Sequence, residues 1–174
     1  MNTLETIFTR KSTRSYTDKQ ISEESLDTII KAACASPVAM ARYDSLHITV
    51  VQNDDIIAEI YREAEEEAER SLGVRKNMNY GARTLVVISS MPTHRAGMEY
   101  INSGIVVENM VIAATDLGID SVILGAPIAA LAKSELLTKK IGIPEGFTPI
   151  IGAAFGYGTE NAPVKAHSIR VNRI

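Results

Sequence analysis

Arg10, Lys11, Ser12, Thr13 and Arg14 stand in a row, three fixed cations and two hydroxyls within one short stretch. Guanidinium and ammonium groups beside a hydroxyl combine charge with directional donors, which is what a phosphate monoester needs. A short apolar segment (Leu4, Ile7, Phe8) leads into them, so the sequence predicts a tight basic turn after it. A basic cluster alone is ordinary solvated surface. Here the segments that follow agree with a phosphate-binding role.

The second of these is Ala35–Ala41, Ala-Ser-Pro-Val-Ala-Met-Ala, where a helix ends in small residues and a proline. Such a backbone is compact, with amides accessible to the edge of a flat ring packed against it. Gly125, after the short strand Ser121–Leu124, permits close backbone approach in the same way. No Ser-His-Asp or Cys-His arrangement is apparent, and His47, His94 and His167 lack the spacing of a metal pair. That pattern suits a protein whose cofactor makes and breaks the bonds.

The elements that must position these residues read as follows. Ser22 caps a helix through Leu26, Ile29, Ile30 and Ala33, and Pro37 stops it. Cys34, in an apolar run, is expected to be a small buried hydrophobe. Leu46–Val51 alternates as a strand, and Asp55–Leu72 is a helix whose glutamates form a solvated face. Thr84–Ser89 is apolar on both faces and therefore central in a sheet. Glu99–Leu117 is the longest helix, apolar on nearly every side, which predicts cover by a second subunit. A further helix runs through Leu131, Leu136, Leu137 and Ile141, and Thr148–Tyr157 is another strand. The tail, Ser168–Ile174, alternates like a strand in need of an edge.

The chain has 174 residues, 45% hydrophobic and 22% charged, with a net charge of −3. Those values suit one domain over residues 1–174, and the order of elements, helices mixed with strands but not strictly alternating, predicts an α+β fold. Only residues 10–14 offer a basic face, which argues against a nucleic-acid partner. The longest apolar run, Ile105–Leu117, is interrupted by Glu108, Asn109 and Asp116 and is too short for a bilayer. The first residues lack the basic-then-apolar layout of a signal peptide, so a cytoplasmic location is expected.

From about residue 7 to the C-terminus, the chain resembles the nitroreductase family of FMN-dependent oxidoreductases. The resemblance rests on the Arg-x-Ser-x-Arg segment, on Ala35–Ala41, on Gly118–Ala126, on Gly142–Tyr157 with its Pro-Glu-Gly, and on Pro163–His167. It implies a three-layer sandwich, a mostly antiparallel sheet flanked by helices, in a homodimer with exchanged C-terminal strands. It implies FMN at the subunit interface, with Arg10, Lys11 and Ser12 on the phosphate and Arg14 near the pyrimidine edge. Lys165 and His167 would return to the phosphate from the tail. Pro37, Val38, Ala39 and Met40 would border the ring from the partner subunit, and Leu124 and Gly125 would lie near its N5. The chain departs from the family pattern at Val38, Ala41 and Tyr43, where Ser, Asn and Gln are frequent. It departs again at Leu124, in place of Glu, and at His167, in place of Arg.

The implied reaction passes a hydride from NADH or NADPH through the flavin to a nitroaromatic, quinone or similar acceptor. Alternatives on the same fold are reductive dehalogenation, substrate dehydrogenation, flavin cleavage, or FMN binding without turnover. The short stretch between Leu72 and Glu99 predicts an open, shallow acceptor site.

Overall fold

Asn2 opens the first helix, α1 (Thr3–Thr9), by accepting the Glu5 amide while the Glu5 carboxylate accepts the Asn2 amide. This reciprocal cap satisfies donors that a helix start leaves open. The computed structural model describes residues 2–159, 164 and 167–174. Leu4, Ile7 and Phe8 share one side of α1 and are exposed.

Helix α2 (Glu23–Cys34) starts at Ser22, whose hydroxyl accepts the Ser25 amide, and buries Leu26, Ile29 and Ala33. Cys34 is exposed, contrary to the expectation of burial. Ala33 takes the inward position, and the next residue, about 100° further round the helix, faces out. Strand β1 (Leu46–Val51) and helix α3 (Asp54–Leu72) follow, with Asn53 as the helix cap. Arg70 ties the acidic outer face of α3 together by pairing with Glu63 and Glu67.

Strand β2 (Thr84–Ser90) is buried at every position, in keeping with a central strand. Helix α4 (Met98–Asp116), strand β3 (Asp120–Leu124), the short helices α5 (Ala126–Leu131) and α6 (Glu135–Lys140) and strand β4 (Thr148–Gly156) complete the order. The expected single helix through Ile141 is thus two helices. Lys133 and Ser134 donate back to Ala130 and Leu131, and the Ser134 hydroxyl then caps α6.

The sheet order is β1-β2-β4-β3, antiparallel throughout. Alternation along β2 sends Leu85 and Val87 to one face and Val86 and Ile88 to the other. The first face packs with Ile57, Ile60 and Tyr61 of α3 and with Ile128 and Leu131 of α5. The second packs with Ile29 of α2 and with Val107, Met110 and Val111 of α4. These are the three layers that the family resemblance implies.

Two features stay open in this arrangement. Helix α4 buries Val106, Val107, Met110, Val111 and Ala114, yet Tyr100 and Ile101 are 63% and 56% exposed. The tail does not form a strand within its own chain, and Ile169 and Val171 are exposed. Among the described residues no helix is long and apolar enough to cross a membrane.

The interlock of the layers is tight at Gly152, in the middle of β4. A Cβ there would lie 2.6 Å from the Val86 carbonyl oxygen and 3.0 Å from Ile128 Cδ1. Gly152→Ala should therefore destabilise the protein by about 1–3 kcal/mol through overpacking, measured as a lowered urea midpoint.

Candidate functional site

Residues 12–14 run alongside β3 and do not form the tight turn expected of residues 10–14. Ser12 bridges Ser121 of β3 in parallel, and the Thr13 amide donates to the Ser121 carbonyl at 2.9 Å. In an extended segment neighbouring side chains point to opposite sides. Thr13 faces inward at 7% exposure, so Ser12 and Arg14, both exposed, face outward together. An Arg14 Nη1 donates to the Ser12 carbonyl at 3.5 Å. Lys11 is half-buried and shares the parity of Thr13. Arg10 lies 3.9 Å from the Glu108 carboxylate of α4, a loose and partly exposed pair worth little by itself.

Asp120, the first residue of β3, fixes this segment from below. Its Oδ1 accepts the Thr13 hydroxyl at 2.9 Å, and its Oδ2 accepts the Gly158 amide at 3.0 Å. Gly158 lies just past β4 and bridges Tyr16 in antiparallel fashion. Flanking that bridge, the Thr17 amide donates to Tyr157 and the Thr159 amide to Ser15. Burial, reinforced by the Asp120 carboxylate, holds the Tyr16 phenol protonated far above its ordinary range.

The loop after α2 is built against α4. Ser36 is fully buried, and its hydroxyl accepts from Asn109 at 2.9 Å. The Ala39 amide donates to Asn102 at 3.2 Å, and the Tyr43 hydroxyl donates to the Ser36 carbonyl. Asn102 and Asn109 lie on one face of α4, two turns apart. Val38 is a buried anchor and Pro37 is exposed. Met40 and Ala41 both adopt left-handed backbone, with φ of 56° and 53°, and Met40 is 86% exposed. Two consecutive non-glycine residues in that region store strain, which persists only where neighbouring contacts enforce it.

Leu124 is 4% exposed and packs in the core beside α5, so only its backbone can face a ligand. Gly125 is exposed with φ of −92°, a conformation open to any residue, and a Cβ there would meet nothing within 4 Å. Its value for close approach thus lies in the open space beside it. His167 is exposed in the tail, and Lys165 lies outside the described residues.

The structure therefore brings Arg10, Ser12 and Arg14 to one region at the β3 edge. It places Pro37–Met40 on a separate platform held by α4. Sequence reasoning missed Thr13, Asp120, Asn102 and Asn109, which position these segments. The one available signal was an acidic residue opening an otherwise apolar short strand, Asp120-Ser121-Val122-Ile123-Leu124.

A Nitroreductase family model matches residues 7–157. A nitroreductase of Desulfitobacterium hafniense, solved with bound FMN, is 26% identical, with a TM-score of 0.87, covering 99% of this chain and 100% of that one. A nitroreductase of Bacteroides fragilis with bound FMN is 27% identical, with a TM-score of 0.86, covering 100% of this chain and 97% of its own. An NADPH-flavin oxidoreductase of Vibrio harveyi is 24% identical over 177 residues, covering 94% of this chain and 69% of the relative.

The strain at Met40 can be measured directly. Met40→Gly removes a left-handed penalty of about 1–2 kcal/mol and adds about 0.5–1 kcal/mol of unfolded-state freedom. The cofactor-free variant should have a urea midpoint equal to or above that of the parent chain.

Proposed function

This chain belongs to the nitroreductase family, and we propose that it is an FMN-dependent oxidoreductase passing reducing equivalents from NADH or NADPH to flat electrophilic acceptors. Quinones and nitroaromatics are the acceptor class that suits it. The observation that carries this reading is the outward pairing of Ser12 and Arg14 on one extended segment, with Arg10 two residues earlier. Arg10 and Ser12 offer a guanidinium fork and a hydroxyl, a donor set that fits a phosphate monoester, and Arg14 adds a second guanidinium on the same side for the polar edge of an attached ring. When bound, FMN supplies a ring that takes a hydride at N5 and yields it to the next molecule stacked there.

The chain's own residues bind and orient. Arg10 and Ser12 grip the phosphate, with Lys11 adding charge close by. Arg10 can leave Glu108 for that task, because their pair is long and solvated. Arg14 would sit toward the pyrimidine edge, where a fixed cation would favour the negative charge that reduction places there. The family resemblance assigns Lys165 and His167 of the tail to the phosphate as well. The backbone at Leu124 and Gly125 would border the ring, and Pro37, Val38, Ala39 and Met40 would wall it from the partner subunit. The link from α3 to α4 contains β2 and irregular loops, without an added helix, which favours a low wall and broad acceptor tolerance.

The protein works as a homodimer of single-domain chains. Support comes from the apolar surface left open on α1 and α4: Leu4, Ile7, Phe8, Tyr100 and Ile101. The two edges of the sheet differ. Segment 12–14 covers β3, whereas β1 pairs with β2 alone among the described residues. The exchanged tail, with Ile169 and Val171 alternating, therefore adds to the β1 edge of the partner.

The purified protein should be yellow, elute as a dimer with one FMN per chain, and bleach anaerobically on adding NADH or NADPH. A colourless monomer that ignores added FMN would falsify the proposal. Arg14→Ala should lower the flavin midpoint potential by about 30–60 mV, equivalent to about 1.4–2.8 kcal/mol for a two-electron couple. An unchanged potential would remove the role given to Arg14.

A further inference from the structure

Asp120 is the only group tied by described hydrogen bonds to both Thr13 and Gly158. Thr13 belongs to the basic segment, and Gly158 begins the path to the tail. The carboxylate thus ties the basic segment to the chain just past β4. We propose that Asp120 is a positioning residue for phosphate recognition, acting through Thr13 on one side and Gly158 on the other. The proposal rests on the FMN-binding reading above.

Three observations carry it. First, the inward turn of Thr13 dictates the outward turn of Ser12 and Arg14, and the Thr13 hydroxyl is held inward by Asp120 at 2.9 Å. Second, segments 15–17 and 157–159 form a small antiparallel bridge, further tied by the Ser15 and Thr159 hydroxyls at 2.7 Å. Asp120 pins one strand of that bridge at Gly158 and the residue that leads into the other. Third, there is no slack in the junction. A Cβ on Gly158 would lie 2.8 Å from Thr13 Cγ2 and 2.9 Å from Asp120 Oδ2.

The groups around Asp120 are donors, namely a hydroxyl and a backbone amide. A carboxylate can accept both at once. An alanine accepts neither, whereas an asparagine could keep both contacts by turning its NH2 to the Thr13 hydroxyl, which also accepts. Hydrogen bonds to a charged group contribute more than neutral ones, and losing one shifts an equilibrium by about tenfold or more. Displacement of Ser12 loosens the phosphate, and displacement of Arg14 loosens the pyrimidine edge. FMN therefore loses both contacts, whereas a ligand without the phosphate loses only the second.

The test compares FMN with riboflavin, which lacks the phosphate, titrated into cofactor-free dimer and followed by flavin fluorescence. In the parent chain FMN should bind more tightly than riboflavin. Asp120→Ala, which removes both acceptors, should weaken FMN by about tenfold or more and riboflavin by a clearly smaller factor, so the preference for phosphate falls. Thr13→Val, which keeps the shape and deletes the hydroxyl, should shift the preference in the same direction by a smaller factor. It also serves as the deciding variant if Asp120→Ala does not fold. Thr13→Ser restores the hydroxyl and should recover the parent preference. Equal weakening of both ligands, or no change in either, overturns the positioning role. A parent chain that binds FMN and riboflavin alike overturns the phosphate-binding reading itself, and the inference with it.

Discussion

An extended backbone can present only alternate side chains to the same side, and the candidate site depends on that constraint. Once Thr13 is drawn into the protein by Asp120 and by the Ser121 carbonyl, Ser12 and Arg14 have no choice of direction. The spacing of an arginine, a serine and a second arginine at every other position is then a geometric consequence. A helix or a tight turn would scatter the same residues around an axis. The sheet edge would therefore be part of the proposed phosphate site. It fixes the parity of a segment that has little apolar content with which to fix itself.

A second constraint acts on the whole chain. The sheet is covered on both faces, but the covering layer that contains α1 and α4 is left partly bare. Tyr100, Ile101, Leu4, Ile7 and Phe8 present apolar area that one 174-residue chain does not bury. Exposed apolar surface on this scale marks an interaction face. The platform carrying Met40 is tied to the same α4 through Asn102 and Asn109, while Arg10 meets α4 at Glu108 on the adjoining face. A single helix thus supports the loop, touches the basic segment and carries part of the open surface. Association of two chains across α4 would bring the platform of one toward the basic segment of the other.

Much of the fold was legible because hydrophobic pattern and capping chemistry point the same way. Ser22 with Glu23 and Glu24, the run Thr84–Ser89 and the alternation of Leu46–Val51 each define an element with correct type and nearly correct ends. The failures share a cause. Cys34 sits in an apolar stretch, but helical phase and not local composition decides which of Ala33 and Cys34 turns inward. The break between α5 and α6 depends on Ser134 capping the second helix, a local choice hidden within a continuous apolar pattern. The basic segment reads as a turn because short polar clusters usually are turns. Its pairing with β3 is a contact between residues more than a hundred positions apart, which no local pattern encodes. Asp120 was missed for the same reason. A lone acidic residue at a strand end looks like solvated surface until its two distant partners are known.

The glycines near the site separate two kinds of necessity. Gly158 is required by the chain itself, because Thr13 and Asp120 already fill the space a side chain would take. Gly125 has no such internal reason: its backbone angles suit any residue, and its missing Cβ faces open space. A glycine demanded by neither conformation nor packing within one chain points to something outside that chain. The proposed flavin ring, walled on its other side by a partner subunit, is a body of that kind. The strained Met40–Ala41 backbone fits the same logic, since the enforcing contacts from Asn102, Asn109 and Tyr43 lie beneath the loop. Strain held from below by the chain's own contacts and space left open above are what a binding wall requires.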